Sequence, residues 1–91
     1  MKSILQTKKE CYVCKRTDVH EHHIFFGSAN RKQSEKYGMK IWLCPPHHNM
    51  SDRGIHFDHR FDKAVKQIAQ AKFEETHSRE EFIQIFGKSW L

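Results

Sequence analysis

The sequence predicts a small α+β fold, in which a two-stranded hairpin and a short helix precede a pair of carboxy-terminal helices. Three patterns support this class: two runs rich in Val, Ile and Phe, a Pro-Pro pair suited to the first turn of a helix, and apolar residues at helical spacing near the end. The 91-residue chain shows no internal repeat, low-complexity tract or Pro/Gly/Ser-rich linker. We therefore expect a single domain over residues 1–91.

The predicted hairpin follows a polar leader. Its first strand covers residues 18–26, and its shorter second strand covers residues 39–43. The segment between them is polar and basic and is bracketed by Gly27 and Gly38, which predicts a long loop. The Pro-Pro pair then begins a short helix that ends before Gly54.

Two helices are predicted in the last third of the chain. Asp58 or Asp62 can cap the start of the first helix. Its apolar stripe consists of Phe61, Val65, Ile68, Ala69 and Phe73. In the second helix, Ser78 and Glu81 form a capping box and Gly87 suits a left-handed end. Neither helix presents a convergent set of reactive side chains, so we assign both helices to the structural scaffold.

A purely hydrophobic core would be marginal in a chain of this size. Ile, Leu, Val and Phe supply only 20 of the 91 residues, and small domains commonly need a metal or disulfides. No apolar run is long enough to span a membrane, and the amino terminus lacks the apolar centre of an export signal. We therefore expect a cytoplasmic protein whose three cysteines are metal ligands or free thiols.

Two short motifs offer a complete set of zinc ligands. Cys11 and Cys14 are separated by two residues, as are Cys44 and His47. Three thiolates and one imidazole are typical of structural Zn²⁺, and four protein ligands leave no position for a catalytic water. We predict one structural zinc that joins the leader to the second strand. The alternative is a buried core thiol at Cys44 and an incidental first pair.

A second group of polar residues accompanies these motifs. It consists of His20, Glu21, His22, His23, His48, Asp52 and His56. Together with the Cys-x-x-Cys pair, the sequences Glu-His-His-Ile at 21–24 and Leu-Cys-Pro-Pro-His-His at 43–48 resemble HNH endonucleases, which have the ββα-metal fold. The resemblance covers about residues 11–60 and leaves 61–91 as a helical extension. The run from Phe25 through Gly38 further resembles small phage-encoded members, including those similar to recombination-enhancement nucleases.

The resemblance implies a role for each histidine of the motif. His22 matches a ligand of a catalytic divalent cation, such as Mg²⁺ or Mn²⁺, His23 matches the general base, and His48 matches a second ligand. A histidine that titrates near neutral pH can take a proton from water while a cation stabilises charge on phosphate. The third ligand is left open between His56, which we prefer, and Asp52. Reserve ligands are His20 and His59.

Two features conflict with the expected pattern. Neighbouring side chains of a strand point to opposite faces, so His22 and His23 share one site only if the strand twists or ends there. The family's middle asparagine, which orients the base, has Met39 in its place. Either Asn30 or a backbone carbonyl could take over its role.

The charge distribution suggests a polyanionic substrate. The net charge is +5, and the first 40 residues carry the whole excess. Candidate phosphate contacts in the predicted loop are Arg31, Lys32, Lys36, Ser34 and Tyr37. The alternative is an ordinary solvated loop.

These features favour a metal-dependent DNA endonuclease that hydrolyses phosphodiester bonds with little sequence preference. The resemblance implies products with a 5′-phosphate and a 3′-hydroxyl. One alternative is a zinc-ribbon module that binds nucleic acid without cleaving it, and another is a small adaptor in a phage particle or recombination complex. If phage-encoded, the protein would act in the cytoplasm of a bacterial host, with recombination or packaging proteins as candidate partners. The sequence leaves the oligomeric state open.

Overall fold

A computed structural model describes residues 2–51 and 53–91 of the protein. Its strands and helices, in chain order, are β1 (His20–His23), α1 (Ser28–Tyr37), β2 (Lys40–Leu43), α2 (Pro45–His48), α3 (His59–Phe73) and α4 (Arg79–Phe86). The predicted α+β class, with its two-stranded hairpin and helices, is confirmed. In the described part of the chain, no helix has the length and apolar character that crossing a membrane requires.

The hairpin is antiparallel and pairs His20 with Leu43 and His23 with Lys40. Its first strand is shorter than predicted. Beyond His23, the backbone groups of Phe25 form hydrogen bonds with the Ser34 side chain instead of with β2. The Ser34 hydroxyl accepts a hydrogen bond from the Phe25 N–H at 3.1 Å and donates one to the Phe25 carbonyl oxygen at 2.7 Å. The strand therefore ends just after the two adjacent histidines.

The predicted long loop between the strands is wrong, since this segment forms helix α1. Gly27, with φ 96°, directly precedes the helix, and Gly38, with φ 71°, is its left-handed C-cap. The Gly38 N–H donates to the Ser34 carbonyl oxygen. A Cβ at position 38 would also collide with the backbone of Lys2. The two glycines therefore mark the ends of a helix rather than the ends of a loop.

The leader lies along the outer edge of β2 and covers it. The Trp42 N–H donates to the Gln6 side-chain oxygen at 2.7 Å, and the Tyr12 N–H donates to the Trp42 carbonyl oxygen at 2.8 Å. These bonds satisfy backbone groups that an open strand edge would leave unpaired. They also bring the first cysteine pair close to the residue that follows β2.

Predicted capping residues begin both carboxy-terminal helices, and the predicted glycine ends α4. Asp58 caps α3 by accepting from the backbone N–H groups of Arg60 and Phe61. Ser78 and Glu81 form the predicted capping box, and Gly87 ends α4 with φ 92°. Most of the predicted stripe of α3 packs inward, whereas Ile68 is 45% exposed.

An aromatic cluster joins these helices to the hairpin region. Phe25, which follows β1, lies 4.6 Å from Phe86 and 5.3 Å from Phe82 between ring centroids. Phe73 lies 5.6 Å from Phe82. These rings lie in the core, where aromatic pairs add to the free energy of burial. They fix α3 and α4 against the elements that carry the polar residues.

Two candidate metal centres

The two Cys/His motifs meet at one point, as predicted. Cys11, Cys14, Cys44 and His47 each place a ligand atom within 4.8 Å of the others. The Sγ atoms of Cys14 and Cys44 are 3.6 Å apart, and Cys44 Sγ lies 3.1 Å from His47 Nδ1. Ligands of tetrahedral zinc are about 3.4–3.8 Å apart, given its bond lengths. The four side chains therefore lie close together and could hold a zinc ion.

The electrostatics of the thiols also fit a cation. Burial raises the pKa of Cys11, but backbone N–H groups of Cys14, Cys44 and Val13 outweigh it and lower that pKa to about 6. Burial raises the pKa of Cys44 to about 11, and the neighbouring thiols add to the rise. A second thiolate beside the first is thus disfavoured by the protein alone. A bound Zn²⁺ would remove that penalty, since thiolates are the form that binds metal.

The second cluster joins three histidines from different parts of the chain. β1 provides His22, α2 provides His48, and the following turn provides His56, with one ring nitrogen of each within 4.8 Å of the others. The Nε2 atoms of His48 and His56 are 3.0 Å apart. His22 is 3% exposed, and its Nε2 has no hydrogen-bond partner in the described part of the chain. A buried ring nitrogen without a partner is costly unless a cation or water occupies the space beside it.

Burial favours the neutral form of two of these rings, His22 and His48. Burial is the main cause that lowers the pKa of His22 to about 3, and the charges of His48 and His56 lower it further. Burial also lowers the pKa of His48. Neutral imidazole keeps the lone pair that a metal needs. The donor set therefore fits a divalent transition-metal cation better than Mg²⁺, which prefers oxygen ligands.

A close backbone approach brings His56 to this cluster. The Ile55 N–H donates to the His47 carbonyl oxygen at 2.8 Å, and the His56 N–H donates to the His48 carbonyl oxygen at 3.2 Å. A Cβ at Gly54 would lie 2.6 Å from that His48 oxygen, so glycine permits the approach. Of the two candidates for the third ligand, the structure places His56 in the cluster, and Asp52 lies outside the described residues.

The two reserve histidines are outside the three-histidine cluster, although His20 contacts His48. His20 Nδ1 is 3.4 Å from His48 Nδ1, on the side of that ring away from the Nε2 that approaches His56. His59 is the first residue of α3 and is exposed. Neither belongs to the three-histidine cluster.

His23 has different surroundings from His22, as strand alternation predicts. Its Nε2 lies 2.9 Å from a carboxylate oxygen of Glu35 on α1 and 3.7 Å from one of Glu21. Lys40, opposite His23 in the hairpin, lies 3.0 Å from both oxygens of Glu35. These hydrogen bonds, from His23 first and then from Lys40, lower the pKa of Glu35 to about 2. Glu35 is thus an ionised acceptor at neutral pH.

The structure does not bring Asn30 to His23. The Asn30 side chain donates to the Phe86 carbonyl oxygen at 3.5 Å, and Met39 is fully buried in the core. Glu35 was missed by sequence reasoning because the segment around it was assigned to a loop. A helical assignment would have placed Glu35 one turn from Arg31, on the same exposed face.

The basic residues of the supposed loop lie on α1. Arg31, Lys32 and Lys36 are exposed, and a shallow depression is lined by His23, Ser28, Arg31, Lys32 and Glu35. Ser34 is fully buried and bonded to the backbone, so its predicted phosphate contact is wrong. Tyr37 packs on Phe73, with ring centroids 5.9 Å apart. Two of the three cations thus lie beside His23.

Compared with models of known protein families, with curated proteins and with solved structures, the chain has no significant match.

Proposed function

We propose that the protein is a metal-dependent DNA endonuclease of the HNH type, with a ββα-metal core. The observation that carries this proposal is the junction at the end of β1. There, His22 joins the cluster with His48 and His56, while the adjacent His23 lines a depression with the cations Arg31 and Lys32. A metal-ligand set next to a histidine base and phosphate-binding cations is what phosphodiester hydrolysis requires.

In this proposal the chain provides a general base, ligands for a cation, positive side chains that bind DNA, and a zinc centre that stabilises the fold. When bound by the three histidines, a divalent cation would stabilise negative charge on the phosphate. His23 Nε2 faces Glu35, so Nδ1 is the atom that accepts a proton from the attacking water. Arg31 and Lys32 hold the DNA backbone, and the Cys₃His centre fixes the leader and β2 through a structural zinc.

The main alternative is a zinc-ribbon module that binds nucleic acid without cleaving it. This alternative is favoured by Met39, a buried core residue that occupies the position of the family's asparagine. Both functions use the Cys₃His centre and the basic helix. A cleavage assay is therefore the experiment that distinguishes them. We prefer the enzyme because a binding module has no need for a buried His22 Nε2 that lacks a hydrogen-bond partner among residues 2–51 and 53–91.

Cleavage of supercoiled plasmid DNA tests the function. We expect nicking that depends on an added divalent cation, tested with Mg²⁺, Mn²⁺, Co²⁺ and Ni²⁺, and we expect His48→Ala to raise the metal concentration for half-maximal activity at least about tenfold. His77→Ala is the control, since His77 stacks on Phe73 away from the cluster. Zinc content is measured in each variant, because His48 adjoins a zinc ligand. No cleavage with any cation contradicts the proposal, and an unchanged metal profile removes His48 from the ligand set.

The basic face of α1 is tested by the salt dependence of DNA binding. For duplex DNA, the slope of log affinity against log salt flattens by about 0.9 for each phosphate that the protein no longer neutralises. Replacing Arg31, Lys32 and Lys36 together with Gln should therefore flatten the slope by roughly 2–3, measured by fluorescence anisotropy on a His23→Ala background. The matched control replaces three exposed lysines elsewhere with Gln: Lys63, Lys72 and Lys88. Equal slopes for the two triple variants would show that α1 does not bind the phosphates.

A further inference from the structure

The carboxylate of Glu35 lies between two groups of the hairpin. Its Oε2 is 2.9 Å from His23 Nε2, and Lys40 Nζ lies 3.0 Å from both of its oxygens. His23 and Lys40 are directly paired across β1 and β2. The hairpin register therefore presents one ring nitrogen and one ammonium side by side, and a single carboxylate accepts from both.

We propose that Glu35 is a positioning residue that fixes the ring orientation and tautomer of His23. It accepts a hydrogen bond from the Nε2–H of His23, which leaves the Nδ1 lone pair free to face the substrate. This inference rests on the proposed nuclease function, in which His23 is the general base. A carboxylate behind a working histidine has this effect in other enzymes and in metal sites, where removal of the partner typically costs 10–100-fold in activity or metal affinity.

Three independent features determine the position of Glu35. Ser34, the preceding residue, is bonded to the backbone of Phe25 at 2.7 Å and 3.1 Å. Gly38 ends the helix one turn later and leads within two residues to Lys40. The Lys40 side chain is only 11% exposed, so its ammonium is confined beside the carboxylate. The carboxylate is thus held against His23 by a buried serine, a helix end and a confined cation.

Glu21, His23 and Glu35 also have the spacing of a metal site. However, Lys40 Nζ lies 3.4 Å from Glu21 and 3.0 Å from Glu35. A positive group of the protein therefore already contacts both carboxylates, and a metal ion would have to displace it. For this reason we assign Glu35 to the orientation of His23 rather than to a further cation.

Two variants of Glu35 distinguish the effect of its hydrogen-bond acceptor from the effect of its negative charge. Glu35→Gln and Glu35→Ala both remove the negative charge, but only Gln keeps an oxygen that can accept from His23. In single-turnover cleavage, we expect Ala to lower the rate about 10–100-fold and Gln to retain it within severalfold. DNA affinity should be no weaker in either variant. Glu75→Ala, an exposed change far from this cluster in sequence, is the control for preparation and folding.

Histidine ¹⁵N NMR supplies a measurement that does not depend on cleavage. The Nε2–H proton of His23 should be visible and slow to exchange in the parent and in Glu35→Gln, and should disappear in Glu35→Ala. Equal cleavage rates for Ala and Gln in an active parent would overturn the role of Glu35 alone. A lower stoichiometry of bound Mn²⁺ in Glu35→Ala would overturn it in favour of a metal ligand. A parent that never cleaves DNA would instead overturn the nuclease function, and the Nε2–H signal would still report whether the hydrogen bond forms.

Discussion

Cys14→Ser is expected to unfold the protein at room temperature. Structural zinc contributes an apparent free energy on the order of 10 kcal/mol in small domains, whereas whole domains are stable by only about 5–15 kcal/mol. Cys14 is exposed, unlike the fully buried Cys11 and Cys44, so serine at this position disturbs no core packing. The decrease in stability is therefore attributable to the missing thiolate ligand. Circular dichroism and thermal melting, together with zinc analysis, measure the effect.

Val13→Ser is the matched control for this experiment. Val13 lies in the same turn, and its side chain is 49% exposed and is not a ligand. Its backbone N–H, which supports the Cys11 sulfur, remains in the variant. We expect Val13→Ser to bind one zinc per chain and to melt cooperatively, and chelation of the parent to reproduce the Cys14→Ser result. A cooperative melt in Cys14→Ser that chelators leave unchanged would exclude a structural zinc.

The candidate zinc site could be predicted because each pair of its residues is local in sequence. Two residues separate Cys11 from Cys14 and Cys44 from His47. A single turn therefore brings the members of each pair together, independently of the tertiary fold. The caps of α3 and α4 were predicted for the same reason. In contrast, the choice of His56 as third ligand depended on the close approach that Gly54 allows, which the sequence only made plausible.

Helix α1 was missed because it lacks the usual signal of a helix. Among its ten residues only Ser34 is buried, and its exposed face is charged, so it shows no wide apolar stripe. Its stability comes from tertiary interactions, such as the Ser34 bonds to Phe25 and the packing of Tyr37 on Phe73. The partner of His23 lies on this helix. The contact between Glu35 and His23 was therefore not predicted from the sequence.

His23→Ala is expected to slow DNA cleavage by roughly 10²–10⁴-fold, the range that a positioned general base supplies. DNA affinity should stay close to that of the parent, because the cations Arg31 and Lys32 are untouched. The change should not unfold the hairpin, since the His23 side chain bonds to Glu35 rather than packing in the core. Single-turnover rates and anisotropy titrations on the same DNA separate the two effects.

The proposed function also implies a difference between His23→Ala and the removal of a metal ligand. Extra divalent cation should partly restore cleavage in His48→Ala, since that change weakens cation binding, but should not restore it in His23→Ala, since the three-histidine cluster is intact. His77→Ala again controls for removal of a histidine. A parent-like rate in His23→Ala would remove this residue as the base. Full rescue of His23→Ala by added cation would instead place His23 among the metal ligands.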